Sequence, residues 1–359
     1  MRDKRRDTTR FLVYGFASSL LIGAMLFVLA GIMTISESKR LIAEAGERVP
    51  ASSDEGPDHK NPGADEDHLE KEAGSHDPAE APDEQEDEEE TASGAADSAQ
   101  PLQLSYDDGT IRSLSAEEIA AIEQTVDPTL RGFGTGFNEP KDDYNRPVYV
   151  KSVEDDMRAA GINGRCFAAD ENTKQIAITF QAGYENGYTA RILDILAEQN
   201  VKSTFYITHE YGWNNQDLIR RMIDEGHELG NHSSSAPEEG IALLPLADQM
   251  QDAIKLQSDV RETFGYTMRK YNYNSGIFTL ASAKMMSEMG YEVVFCSVNY
   301  DDFDSTASFD TNEILNSLLS CAHNGCVYCF HMTNEITVNI LPGLIHYLRA
   351  QGYEIVQLP

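Results

Sequence analysis

The second half of this sequence predicts a parallel, barrel-like α/β domain of about seven units. Apolar runs of strand length recur at 175–180, 203–208, 227–230, 292–298, 326–331 and 353–357, with a weaker one at 270–273. Segments of helical periodicity fill the gaps, at 189–199, 215–225, 246–264, 279–289, 311–322 and 337–351. Regular alternation of short strands with helices of 10–19 residues is the pattern of a parallel sheet covered by its crossover helices.

The chain ahead of that domain is of a different kind. Residues 1–10 carry Arg2, Lys4, Arg5, Arg6 and Arg10, and Phe11 to Ile35 follows without a single charge. At about 1.5 Å per residue such a run crosses a ~30 Å hydrocarbon core. The basic flank predicts a cytoplasmic N-terminus, a single-pass transmembrane anchor over 11–35 and an extracytoplasmic remainder in the cell membrane. A cleaved signal peptide is the rival reading, since Ala43-Glu44-Ala45 has the small-x-small form. The apolar core is longer than the usual signal-peptide core, which favours an uncleaved anchor.

Residues 36–100 read as a disordered acidic linker. The stretch 51–100 contributes −16 to a formal net charge of −32, and no aromatic residue occurs between Val28 and Ser105. Such a composition cannot bury enough apolar surface to offset chain entropy, and the bland reading is a tether that lifts a domain off a membrane. Residues 101–359 retain −19. An acidic folded region argues against nucleic acid and other polyanions as partners and leaves neutral or cationic ligands open.

Residues 101–170 form an approach segment expected to pack on the barrel. Ser115 and Glu118 have capping-box spacing and open a short helix through about Gln124. A second helix from about Ser152 stops near Gly161. Gly132, Gly134, Gly136, Pro140 and Pro147 mark a loop between them. No catalytic constellation appears here.

In parallel α/β barrels ligands sit at the carboxyl ends of the strands. The polar residues just past the strands are Gln181, Asn231 with His232, Asn272 with Asn274, Asp302 and His331, and topology should gather them on one rim. Taken singly, each is better explained as a solvated loop residue or a satisfied histidine. Five such groups at successive strand ends point to a groove.

The motifs at these positions resemble those of the polysaccharide deacetylases, the NodB-homology or carbohydrate esterase 4 group. Thr179-Phe180, then Gly183-Tyr184-Glu185-Asn186-Gly187-Tyr188-Thr189, is similar to the first motif of the branch that includes the delta-lactam-forming muramic de-N-acetylases. Gly230-Asn231-His232-Ser233 resembles the second motif. Gly290-Tyr291 with Phe295-Cys296-Ser297-Val298 and Asp302 resembles the fourth, and Tyr328-Cys329-Phe330-His331 the fifth. The resemblance covers about half the chain. It implies a distorted (β/α) barrel and a role on cell-wall or other N-acetylated glycans such as peptidoglycan.

It also implies a site, which this sequence departs from. The family holds a divalent metal with an aspartate and two histidines four residues apart, and uses an aspartate base, an arginine that orients the base, and a histidine acid. Here the base position is Gln181, the metal-aspartate position Ala182, the second metal histidine Ala236 and the arginine Asn272. The proline two residues after the arginine is Asn274. His232 is the one remaining ligand of the metal triad, so no metal or other cofactor is expected. His331 and Asp302 remain as a vestigial acid and its partner. Replacing Asp and Arg together removes both charges and leaves neither buried alone. Tyr184, Asn231, His232, Asn272 and Asn274 would then line a binding groove.

The expectation is an anchored, catalytically inactive deacetylase-like protein that binds cell-wall glycan or a protein partner. An active glycan N-deacetylase with a rearranged, metal-poor site and a structural envelope protein are the alternatives. Cys166, Cys296, Cys321, Cys326 and Cys329 are odd in number. The Cys321, His323, Cys326, Cys329 spacing suggests zinc, but Cys326 and Cys329 should face opposite sides of one strand, which favours buried thiols. A Cys321–Cys326 disulfide stays open. Trp213 is expected in a loop, as a sugar platform or as a cover for the next helix.

Overall fold

The computed structural model describes residues 111–133 and 136–359. The expected anchor and linker lie outside them. Among the described residues no helix is long and apolar enough to cross a membrane.

Ser115 caps the first helix, α1 (Ala116–Thr125), as its spacing predicts: Glu118 N donates to Ser115 Oγ at 3.2 Å and Ser115 N to Glu118 Oε2 at 2.8 Å. A short strand β1 (Arg131–Gly132) follows, then α2 (Val148–Ala159). This second helix starts four residues before the expected Ser152. Pro147 sits just outside it with φ −60, a geometry that leads into a helix without needing an N–H donor. Val150, Val153 and Met157 form its buried stripe. Strand β2 (Gly164–Arg165) was not expected. It pairs in parallel with β8 (Glu292–Val294), so the approach segment adds a strand to the main sheet as well as packing on it.

The remaining strands are β3 (Gln175–Ala182), β4 (Thr204–Ile207), β5 (Glu228–Asn231), β6 (Lys270–Tyr271), β7 (Ile277–Phe278), β9 (Val327–His331) and β10 (Glu354–Val356). The main sheet runs β10-β3-β4-β5-β6-β8-β2, with β9 on the other edge of β3 and every pairing parallel. Strand β7 pairs outside it, antiparallel to β1. The sheet curls. Ser297 N donates to Val327 O at 2.9 Å and Cys329 N to Val298 O at 3.0 Å, which joins the stretch after β8 to β9. These bonds explain why the expected strand 292–298 is regular only to Val294. A curled parallel sheet with outer helices fits the expected (β/α) barrel.

The helices are α3 (Thr189–Glu198), α4 (His209–Asn214), α5 (Gln216–Asp224), α6 (Leu246–Phe264), α7 (Leu280–Met289), α8 (Thr311–Ser320) and α9 (Glu335–Ala350). All but α4 were legible as periodic segments. Strand side chains alternate between two apolar clusters. Ala177, Tyr206, Val293, Val327 and Cys329 join Ile111, Val150 and Met157 in one. Ile176, Ile178, Phe180, Phe205, Tyr328 and Phe330 join the α3 and α9 side chains Leu196 and Leu344 in the other. Cys329 and Cys326 accordingly fall in different clusters. All five cysteines are free and buried, so no Cys321–Cys326 disulfide is present, and among the described residues no group of three or more His, Cys, Asp or Glu could hold a metal.

One glycine shows how tightly the approach segment is set against the barrel. Gly325, at φ +76 before β9, has space for no side chain: a Cβ there would stand 2.1 Å from Ala169 O. Gly325→Ala is therefore expected to cost about 3 kcal/mol or more, through left-handed backbone strain and a backbone clash. Urea midpoints of the two proteins measure it; an unchanged midpoint would refute the close approach.

Candidate functional site

The register of the strands brings their polar ends level. Gln181 pairs across the sheet with His331, and Asn231 with Tyr271, immediately before Asn272. Gln181, His232, Asn272 and His331 line one groove of about 870 Å3 at the carboxyl ends of the strands, together with Tyr184 and Asn274. That is the rim the topology predicts.

At its floor lies an amide pair. Gln181 Nε2 donates to Asn272 Oδ1 at 2.8 Å, and Asn272 Nδ2 donates to Val294 O at 2.8 Å. Both side chains are neutral at every pH, so this pair can accept and donate hydrogen bonds but cannot take up a proton. His232 is buried, and its Nδ1 lies 2.9 Å from Asn272 O. A carbonyl accepts only, so Nδ1 carries the proton. Burial pushes the His232 imidazole down to about 4, against the pull of that carbonyl bond.

Beside the amide pair, His331 forms a histidine–carboxylate pair with Asp302, which does not itself line the groove. His331 Nδ1 stands 2.8 Å from Asp302 Oδ1, and the His331 N–H and the Thr337 hydroxyl donate to Asp302 Oδ2 at 2.9 and 3.1 Å. Asp302 is fully buried. Burial opposes charge on His331, but the bond to Asp302 and its negative charge outweigh it and raise the imidazole above its ordinary range. Nδ1 is committed to Asp302, which leaves Nε2 as the nitrogen able to serve a ligand. A protonated imidazole held this way can donate a proton.

Two predicted groove residues have other work. Asn231 does not line the groove. Its Oδ1 accepts from Ser233 N at 3.0 Å and its Nδ2 donates to Ala253 O and Tyr291 OH at 2.9 and 3.1 Å. It holds the turn that follows β5, where Ser233 takes φ 78, and so positions His232. Asn274 does line the groove, but its amide is engaged at both ends, accepting from Ile241 N at 3.0 Å and donating to Pro237 O at 2.6 Å. It clamps the 237–241 loop.

Tyr184 rides on an ordered loop. Glu185 Oε1 accepts from Gly187 N at 2.6 Å, its Oε2 accepts from the Thr189 hydroxyl, and Asn186 Nδ2 reaches Thr333 O at 2.9 Å. The groove is also lined by Glu210, Cys296, Asn299 and Phe303, which the sequence reading missed. Asn299 and Phe303 follow a strand end as Asp302 does, so the same rule could have found them. Glu210 sits on the unexpected α4, where Trp213 also lies, exposed and stacked on His209 at 5.6 Å instead of in a loop.

The donor set does not suit the metal that the resemblance implies. Ala182 is buried in the cluster between sheet and helices, and Ala236 lines the groove at φ 38. Neither side chain has a donor atom. His232 is left as the one nitrogen at those three positions, where a catalytic zinc site takes three protein ligands.

Comparison with known proteins agrees with the motifs. The family model described as polysaccharide deacetylase matches residues 168–294. The peptidoglycan-N-acetylmuramic acid deacetylase PdaA of Bacillus subtilis is 34% identical over 188 residues, 51% of this chain and 70% of that protein. The peptidoglycan-N-acetylglucosamine deacetylase of Bacillus cereus is 28% identical over 197 residues, 54% of this chain and 70% of its own length. In fold, the chain superposes on the Bacillus subtilis PdaA structure, a family 4 carbohydrate esterase, with a TM-score of 0.58 at 24% identity, covering 65% of this chain and 96% of that one. A family 4 carbohydrate esterase from Bacillus anthracis gives 0.51 at 26% identity, with the same coverage. This chain belongs to the polysaccharide deacetylase family.

Proposed function

We propose that the protein is a membrane-anchored, extracytoplasmic member of the family that binds an N-acetylated cell-wall glycan in the groove without deacetylating it. The observation that carries this reading is the 2.8 Å bond from Gln181 to Asn272. Where a deacetylase needs a charged base oriented by an arginine, two neutral amides satisfy each other. Loss of a general base typically costs about 10²–10⁴ in rate, and loss of the metal removes several kcal/mol more of transition-state stabilisation. Binding needs neither. The groove offers hydrogen-bonding groups and the exposed Tyr184 ring, which suit a sugar.

Retention of the full chain on peptidoglycan or on N-acetylglucosamine oligomers, with no acetate released, is the expected result. Gln181→Asp alone should reduce stability by about 1–3 kcal/mol, because a carboxylate would face Asn272 Oδ1 with no cation beside it. Gln181→Asp, Ala236→His and Asn272→Arg together should gain zinc content, read by elemental analysis, before they gain turnover. Absence of retention on either glycan would remove the reading. The intact His331–Asp302 pair favours one other possibility, an active amidohydrolase with a rearranged site. Acetate release abolished by His331→Ala would establish it instead.

A further inference from the structure

A second cavity, of about 460 Å3, opens beside the groove and shares Tyr184, Glu210 and Phe303 with it. Both volumes fall in the range of about 300–1,000 Å3 typical of small-ligand sites. Its shared rim carries two large exposed rings: Tyr184 is 69% exposed and Phe303 58%. Two loops hold them, both tied to Thr333 just past β9: Asn186 Nδ2 donates to Thr333 O, and the Thr333 hydroxyl donates to Phe303 O, with Phe303 edge-on to His331 at 5.7 Å. Aromatic rings left in water at the junction of two cavities suit the apolar faces of consecutive sugar rings.

The charged groups of the second cavity, Glu185 and Glu210, are both carboxylates, and the Asn and hydroxyl groups around them can accept as well as donate. Asn186 Nδ2 and Asn215 Nδ2 are engaged with Thr333 O and Tyr211 O, at 2.9 and 2.8 Å, so these side chains still offer their carbonyl oxygens. Glu210 adds an exposed carboxylate, whereas the Glu185 carboxylate is already bonded to Gly187 and Thr189. No Lys or Arg lines either cavity. Acceptors with a negative charge and no cation call for a ligand rich in donors and free of negative charge.

We propose that this cavity is a second sugar subsite that takes a hexosamine with a free amine, next to the unit bound over His331. The protein would thus recognise partly de-N-acetylated glycan, with the ammonium group facing Glu210 and the two rings flanking the linkage. The inference rests on the glycan-binding reading above and specifies its ligand.

Titration calorimetry of the full chain with glucosamine and N-acetylglucosamine hexamers, at low salt and about pH 6.5 where much of the amine is protonated, tests it. The free-amine hexamer should bind about threefold tighter, in keeping with one partly solvated ion pair, and Glu210→Gln should abolish that preference. Tyr184→Ala with Phe303→Ala should weaken both hexamers about tenfold. Equal or tighter binding of the N-acetylated hexamer, or a preference that survives Glu210→Gln, overturns the inference and leaves the glycan-binding reading standing. Binding of neither hexamer overturns both.

Discussion

Shifting the protein from pH 7 to pH 4 is expected to destabilise the folded domain by about 6 kcal/mol through two histidines outside the groove. His227 and His323 are buried, and burial pushes each down to about 4. The unfolded chain therefore binds more protons than the folded one between about pH 6.5 and pH 4, and stability falls as pH falls through that window. At about 1.4 kcal/mol per pH unit, each group contributes about 3 kcal/mol by pH 4. The surroundings show why charging is so unfavourable. His323 Nδ1 lies 2.8 Å from Cys321 O, and its Nε2 is buried with no partner, so a second proton would have nothing to bond. His227 Nδ1 accepts from Ser203 N at 3.1 Å, and that acceptor would be lost on protonation. A loss of this size is comparable with the whole stability of a typical domain, about 5–15 kcal/mol. Urea titrations at pH 7, about 5.5 and about 4 measure it, and replacing both histidines by asparagine should remove their share of the dependence, leaving that of His232, which burial also holds down at about 4. An equally acid-labile double variant would rule the two histidines out as its source. His331 works in the other direction. Its raised imidazole contributes stability that is present below about pH 6.5 and lost as pH rises through its folded value.

Asp302→Ala is expected to cost about 3–5 kcal/mol, the usual result of removing one member of a buried ion pair. The fully buried carboxylate accepts from His331 N, His331 Nδ1 and Thr337 Oγ1, and alanine would leave both His331 donors without that acceptor. An asparagine at this position would keep one carbonyl oxygen, so Asp302→Asn should lose less. A second readout separates this from a generic packing defect. With the carboxylate gone, burial acts on His331 against only the weaker pulls of Cys329 and Asp301, and its titration, followed by NMR of the ring protons, should move from above the ordinary histidine range to below it. A titration that stays raised in Asp302→Asn would show that Asp302 is not what holds the proton on His331.

The elements that were legible in the sequence are those in which local pattern and tertiary role coincide. Strands β3, β4 and β9 are apolar runs because both faces are buried, and α6 and α9 have a periodic apolar stripe because one face packs on the sheet. The capping box at Ser115 was legible because the chemistry is contained in four residues. Helix α4 was not: six residues with only Tyr211 and Gly212 buried carry too little periodicity to register. Strand β2 is two residues long and owes its conformation to β8, more than a hundred residues away in sequence.

The same division runs through the site. The family motifs, the order of polar residues at the strand ends, and the replacement of a charged base by Gln181, of a histidine by Ala236 and of an arginine by Asn272 are all readable from the chain alone. Those are matters of residue identity at fixed spacing. What each group does depends on the folded contacts. They pair Gln181 with Asn272, withdraw Asn231 to hold the turn that carries His232, set Asn274 to clamp a loop, and place Glu210 and Phe303 around a second cavity. The reason is physical. A side chain's hydrogen-bonding capacity is fixed by its chemistry, but whether that capacity faces a ligand or is already satisfied depends on which distant backbone groups the fold brings within about 3 Å of it.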